Sequence, residues 1–167
     1  MKTATLLVGL ALVSCGSDGD SSNTTPLPPS PIELTKSGAC GDAFFWAESE
    51  SGEIAVTVYV EAHTRAADAP TTISLALPDP AIDVEILTGH NLSRNFCTDL
   101  PDSGSNPVTR VTPVAGTGEI MLDALLPLTE ACGSTTGTLR LEGLTTGNGT
   151  TFAPIEITSK VIGCYSG

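Results

Sequence analysis

The sequence predicts an all-β domain: an antiparallel β-sandwich of about eight strands, immunoglobulin-like or jelly-roll in style and stapled by disulfides. Three observations carry this prediction. Short apolar runs of period two recur from about Ile32 to Cys164, separated by Gly, Pro, Asp and Ser. No stretch in that region keeps a helical apolar period between helix caps. Four cysteines, Cys40, Cys97, Cys132 and Cys164, fall in this region. They include no CxxC spacing, and the chain has only 2 histidines, so disulfides fit them better than zinc.

The first expected strand is Ala43–Ala47, which concentrates the consecutive aromatics Phe44, Phe45 and Trp46. A strand sends neighbours to opposite faces, so Phe45 opposes Phe44 and Trp46. An exposed aromatic pair could stack on a sugar or dock a partner, and cover by a loop is its commoner fate. Ser49-Glu50-Ser51-Gly52 reads as a turn. Ile54, Val56, Val58 and Val60 then alternate with Ala55, Thr57, Tyr59 and Glu61, the clearest half-buried strand of the chain. These two strands form the expected hairpin.

Thr71–Leu77 follows with Ile73, Leu75 and Leu77 inward, and Ala81–Leu87 with Ile82, Val84 and Ile86 inward. Pro78-Asp79-Pro80 between them makes a turn lacking two backbone donors. Val108–Val114 is weaker, and Pro113 assigns it to an edge or bulge. Glu119–Leu125 alternates at Ile120, Leu122 and Ala124. Thr138–Leu144 sets Leu139 and Leu141 against Arg140 and Glu142. Phe152–Cys164 carries Ile155, Ile157 and Val161, with breaks expected at Pro154 or Ser159. The immunoglobulin signature is incomplete, because Trp46 follows Cys40 by only six residues. Four cysteines allow three pairings. Cys40–Cys164 with Cys97–Cys132 is the preferred one, because it joins the first and last segments of the domain.

The first fifteen residues form a separate unit. Met1-Lys2 gives a positive start, and Leu6, Leu7, Val8, Leu10, Ala11, Leu12 and Val13 form a short apolar core. That core is about half the ~20 residues a membrane-spanning helix needs, and its layout is that of a secretory signal. Leu12-Val13-Ser14-Cys15 closes it and resembles the lipobox of bacterial lipoproteins. The resemblance implies cleavage before Cys15 and lipid attachment, palmitate included, at that cysteine. It places the protein in the cell envelope, held to the membrane through the lipid on Cys15. Gly16 rather than aspartate follows the cysteine, which favours the outer membrane. Residues 1–14 are thus the expected signal peptide. Residues 15–31, with GSDGDSSNTTPLPPSP after the cysteine, are a Ser/Pro-rich tether too polar to bury a core. Residues 32–167 are the expected β-sandwich domain.

Charge narrows the partners. The 19 acidic residues outnumber 7 basic ones, for a formal net charge of −12. Nucleic acid needs clustered Lys and Arg, so it is excluded as a partner. The expected partners are the membrane and an envelope protein or glycan. No cofactor is implied.

The segment His90-Asn91-Leu92-Ser93-Arg94-Asn95-Phe96-Cys97-Thr98-Asp99 is the richest in functional side chains. It lies in the longest connection, Leu87–Val108, and long loops on rigid sheets often carry function. His90, Arg94, Asn95 and Phe96 are its candidate binding residues. The leading expectation is therefore a lipid-anchored envelope protein displaying a binding or structural module. The alternative is a small extracytoplasmic hydrolase in which Ser93, His90 and Asp99 converge, although no nucleophile-elbow glycine pattern surrounds Ser93. His63 with His90, or Asp79, Asp83, Asp99 and Asp102, are weaker candidates for metal or calcium ligands. Asn23, Asn91 and Asn148 match the glycosylation acceptor pattern, as chance allows in a Thr-rich chain.

Overall fold

A computed structural model of the chain describes residues 29–41, 43–60, 71–100, 102–104, 107, 109–123 and 134–163. Among these the protein is all-β, with two antiparallel sheets and no α-helix. The strands are β1 (Lys36–Cys40), β2 (Phe44–Glu48), β3 (Ile54–Tyr59), β4 (Thr71–Leu77), β5 (Asp83–Thr88), β6 (Thr109–Val111), β7 (Ala115–Leu122), β8 (Ser134–Thr145) and β9 (Ile155–Gly163). A five-stranded sheet runs β1-β2-β3-β5-β6 and a four-stranded sheet runs β4-β7-β8-β9.

Alternation explains most of this. In β4, Ile73 and Leu75 are buried while Thr72, Ser74 and Ala76 are exposed. In the β2–β3 hairpin, Phe45 pairs with Val58 and Ala47 with Val56, so four inward residues meet on one face. Gly52 adopts φ 73° in the connecting turn, where its amide donates to the Ser49 carbonyl at 2.9 Å. Left-handed backbone of this kind favours glycine. Pro78-Asp79-Pro80 carries the chain from one sheet to the other. The Asp79 side chain accepts the Ala81 amide at 2.9 Å, the local bond that makes Asp a turn residue.

One core cluster takes side chains from both sheets, among them Phe45, Val56, Val58, Val84 and Ile86 from the first and Ile73, Leu75, Ile120, Leu139 and Ile157 from the second. Phe45 is fully buried. Its ring reaches β8 at Gly137, where an added Cβ would lie 2.8 Å from Phe45 Cζ and 2.9 Å from Ile162 Cδ1. The close approach of a large ring requires the glycine there.

Several elements depart from the sequence expectation. β1 has no apolar alternation in KSGAC and is held by its neighbours rather than by its own pattern. Ile32 precedes it, bridged in parallel to Phe152. β6 is shorter than expected, ending at Val111 before the buried Pro113, and forms the sheet edge beside β5. β7 begins four residues early, at Ala115; β9 begins at Ile155, so the expected break falls at Pro154 and not at Ser159, through which the strand runs unbroken. Its irregularity is a register shift opposite Gly137–Leu139. The disulfide is Cys40–Cys97, with Cα atoms 5.7 Å apart, which overturns the preferred Cys40–Cys164 and Cys97–Cys132 pairing. The bridge ties the end of β1 to the β5–β6 connection, because that connection folds back over the sheet rather than extending away from it. Cys15, His63, Cys132 and Cys164 lie outside the described residues, as do the signal and most of the tether.

Phe45→Ala is expected to lower stability by about 3–5 kcal/mol, as for other buried aromatics. Gly137→Ala, which must push Phe45 or Ile162 aside, should cost about 1–3 kcal/mol. Urea unfolding followed by far-UV circular dichroism checks both.

Candidate functional site

The two sheet faces turned away from the core differ. On the four-stranded sheet that face is solvated and charged. Arg140 there lies between its cross-strand neighbours Glu119 and Glu156, at 3.3 Å from each carboxylate. Exposed pairs of this kind contribute at most about 1 kcal/mol each.

On the five-stranded sheet, register aligns three rows of outward residues. Cys40, Phe44, Tyr59 and Asp83 form one row, Gly38, Trp46, Thr57 and Glu85 the next, and Lys36, Glu48, Ala55, Leu87 and Arg110 the third. Ala55, Leu87 and Thr57 are buried, so this face is covered. The cover is the β5–β6 connection, which contains a 3-10 turn at Leu92–Asn95.

Three kinds of contact hold the cover down. Leu92 packs with Ala55 and Leu87 in a second apolar cluster, against which Phe96 also lies. Phe96 meets Phe44 edge-on with ring centroids 5.8 Å apart and Trp46 at 5.6 Å. Aromatic pairs in such geometry contribute about 0.5–1.5 kcal/mol beyond burial. Trp46 in turn lies over Gly38, where an added Cβ would stand 2.6 Å from its ring. Its indole Nε1 is buried without a hydrogen-bond partner.

The second contact is polar. Glu48, 2% exposed, accepts the Ser93 amide at 2.8 Å and the Ser93 hydroxyl at 2.7 Å. Hydrogen bonds to a charged group contribute about 1.5–3 kcal/mol, and a buried carboxylate without them is costly. The third is the Cys40–Cys97 bridge, spanning 57 residues of sequence.

The far end of the cover is organised by Asn95 and Asp102. The Asn95 side chain accepts the Asp102 amide at 2.7 Å and donates to its carbonyl at 3.1 Å. Arg94 reaches the Asp102 carboxylate at 3.4 Å, with both side chains largely exposed.

The structure thus separates the residues singled out in the sequence. His90 and Arg94 are exposed and accessible, Asn95 is engaged in holding the loop, and Phe96 is half-buried in the aromatic cluster. Ser93 is bonded to Glu48 rather than to His90 or Asp99, so the three form no hydrogen-bonded set. Asp102 is tied to Gly104 and Arg94, and Asp79 to Ala81. Among the described residues no group of three His, Cys, Asp or Glu side chains is placed to hold a metal ion.

Glu48 was invisible to sequence reasoning because a glutamate ending a strand reads as solvated. The available signal was indirect. Ala55 and Leu87 share its row, and a solvated face rarely carries that pair.

Between the cover and the sheet lies a cavity of about 260 Å³ lined by Phe44, Thr57, Glu85, Leu87, Phe96 and Arg110 among others. Arg110 donates to the Glu85 carboxylate at 2.6 Å on its rim. No family model matches the chain, and comparison with curated proteins and with solved structures likewise gives no match.

Glu48→Ala is expected to destabilise the protein by about 2–3 kcal/mol by orphaning the Ser93 donors. Hydrogen exchange should accelerate at Leu92–Phe96 while β8 stays protected. Replacing Cys40 and Cys97 together with alanine should cost about 4 kcal/mol on the chain-entropy estimate for a loop of this length. Chemical denaturation under oxidising conditions measures that loss.

Proposed function

We propose that the protein is a lipid-anchored envelope protein whose two sheets pack face to face as a β-sandwich that serves as a binding module. Contact between Phe45 and Gly137 across the core supports the sandwich. Anchoring rests on the charged start, the short apolar core and the Leu-Val-Ser-Cys sequence ending at Cys15. Several acyl chains at that cysteine would hold it firmly, since each buried methylene contributes ~0.8 kcal/mol. With Gly16 after the cysteine, the outer membrane is the proposed destination.

The observation that carries the binding reading is the pinned cover. A loop fixed by a disulfide, a buried carboxylate and an aromatic cluster is already ordered, so a partner need not meet that entropic cost. Its exposed His90 and Arg94 are displayed on a rigid base. The Ser93 hydroxyl donates to Glu48, and neither His90 nor Asp99 joins it, so the three residues the hydrolase requires do not converge and the binding reading outranks it.

Two experiments test this. Cys15→Ala should abolish labelling by a fatty-acid probe and release the protein from membranes or stall its precursor; unchanged labelling and fractionation overturn the anchor. In the unlipidated Cys15→Ala background, His90→Ala with Arg94→Ala should weaken sedimentation of the chain with isolated cell envelopes about tenfold. Both residues are exposed, so the melting temperature should move little. Phe96 is unsuited to that test, because its packing against Phe44 and Trp46 ties it to stability.

A further inference from the structure

The cavity beneath the cover holds a polar group that the protein leaves unused. Thr57 is 6% exposed, in the middle strand of the five-stranded sheet, and lines the cavity floor. Its hydroxyl makes no hydrogen bond among the described residues, yet it is not sealed off as the Trp46 indole nitrogen is. Open to the cavity, it is available to water or to a ligand group, and a ligand hydroxyl, which both donates and accepts, matches it.

The remaining walls narrow the ligand. Phe44, Phe96 and Leu87 supply an apolar side, suited to the C–H face of a ring. Beside Leu87, the cross-strand partner of Arg110, the Glu85–Arg110 pair is already internally neutralised by its 2.6 Å contact. A charged ligand would have to displace one partner from the other. A neutral hydroxylated ligand can instead donate to the remaining carboxylate lone pairs and accept from the remaining guanidinium N–H groups without breaking the pair. The formal charge of −12 further disfavours anions. At about 260 Å³ the cavity lies just below the roughly 300–1,000 Å³ range of drug-sized sites, so it takes a single ring.

We propose that this cavity receives one neutral pyranose unit, with Thr57, Glu85 and Arg110 reading its hydroxyls and Phe44, Phe96 and Leu87 packing on its apolar face. The proposal rests on the binding-module reading and gives that module a ligand class. The unit can be a free monosaccharide or the end of an envelope glycan, and the chemistry is shared.

Trp46 is the chain's sole tryptophan and packs on Phe96, so its fluorescence reports on the cavity wall. The full chain is titrated with glucose, galactose, mannose and N-acetylglucosamine, and with their methyl α- and β-glycosides. At least one should give a saturable emission change and shift the Thr57 amide resonance. Binding of free sugars alone identifies a soluble ligand, and binding of the glycosides identifies a glycan end. Thr57→Val keeps a β-branched strand residue and removes only the hydroxyl, so it should weaken binding about tenfold at an unchanged melting temperature. Glu85→Gln should weaken it similarly, while Ser74→Ala on the other sheet should not. Absence of any saturable response, wild-type affinity in Thr57→Val, or glycine or acetate binding in place of the sugars overturns the proposal. If the sugars fail while His90→Ala with Arg94→Ala still releases the chain from envelopes, the sugar site falls and the binding module stands. If both fail, the module reading falls as well.

Discussion

A single buried carboxylate governs how the five-stranded sheet is used. Glu48 sits at the end of β2 on the face turned away from the core, where a strand residue would ordinarily meet water. Once covered, it needs donors, because an uncompensated buried charge costs far more than any apolar contact nearby returns. The Ser93 amide and hydroxyl supply them, and they can do so only if the 3-10 turn lies against the sheet. That placement brings Leu92 onto Ala55 and Leu87 and Phe96 onto Phe44 and Trp46. The polar anchor fixes position, while the apolar contacts supply area.

The cover also sustains backbone that would not persist alone. Ala43, Asn91 and Cys97 have φ of 55°, 49° and 57°. Left-handed backbone costs a non-glycine residue about 1–2 kcal/mol, and only Asn is at ease there. Two of the three flank the 3-10 turn, and Ala43 lies between β1 and β2 beside the other end of the disulfide. Such conformations survive where surrounding contacts over-determine them. Here the disulfide, the carboxylate bonds and the aromatic cluster do so together. Ordering cost is met during folding, which leaves the cavity preformed.

The parts of this arrangement legible in the sequence were those set by local alternation. β3, β4, β5 and the centre of β8 follow directly from period two, because one face of each meets the core. The split of Phe45 from Phe44 and Trp46 follows from the same rule, and a loop does cover the outward pair. β1 was not legible, since Gly38 contributes no side chain and is filled by Trp46 from the neighbouring strand. The cysteine partner was not legible either. Joining the ends of a domain is plausible by chain order, but pairing depends on where a long loop folds back, which only tertiary contacts decide. The site was half legible. The polar and aromatic make-up of the loop is legible in its composition, while the groups it lies against, Glu48, Thr57 and the Glu85–Arg110 pair, are not. Thr57 and Glu85 sit on strands whose alternation marks them as facing solvent, Glu48 falls just past the expected end of its strand, and the loop that covers Thr57 and Glu48 is distant in sequence.

That asymmetry between the two outward faces argues which one carries function. The face with Glu119, Arg140 and Glu156 is finished by water: its charges pair loosely across strands, and nothing needs to lie on them. The opposite face is finished by the chain itself, at the expense of a disulfide, strained backbone and a buried carboxylate. A fold seeking only stability could place small polar residues there and leave the connection short. The longer construction yields one thing that the shorter would lack, a cavity between cover and sheet that Thr57 lines. On the sugar-site proposal, the Thr57 hydroxyl is the group placed to discriminate among ligands that fill this cavity.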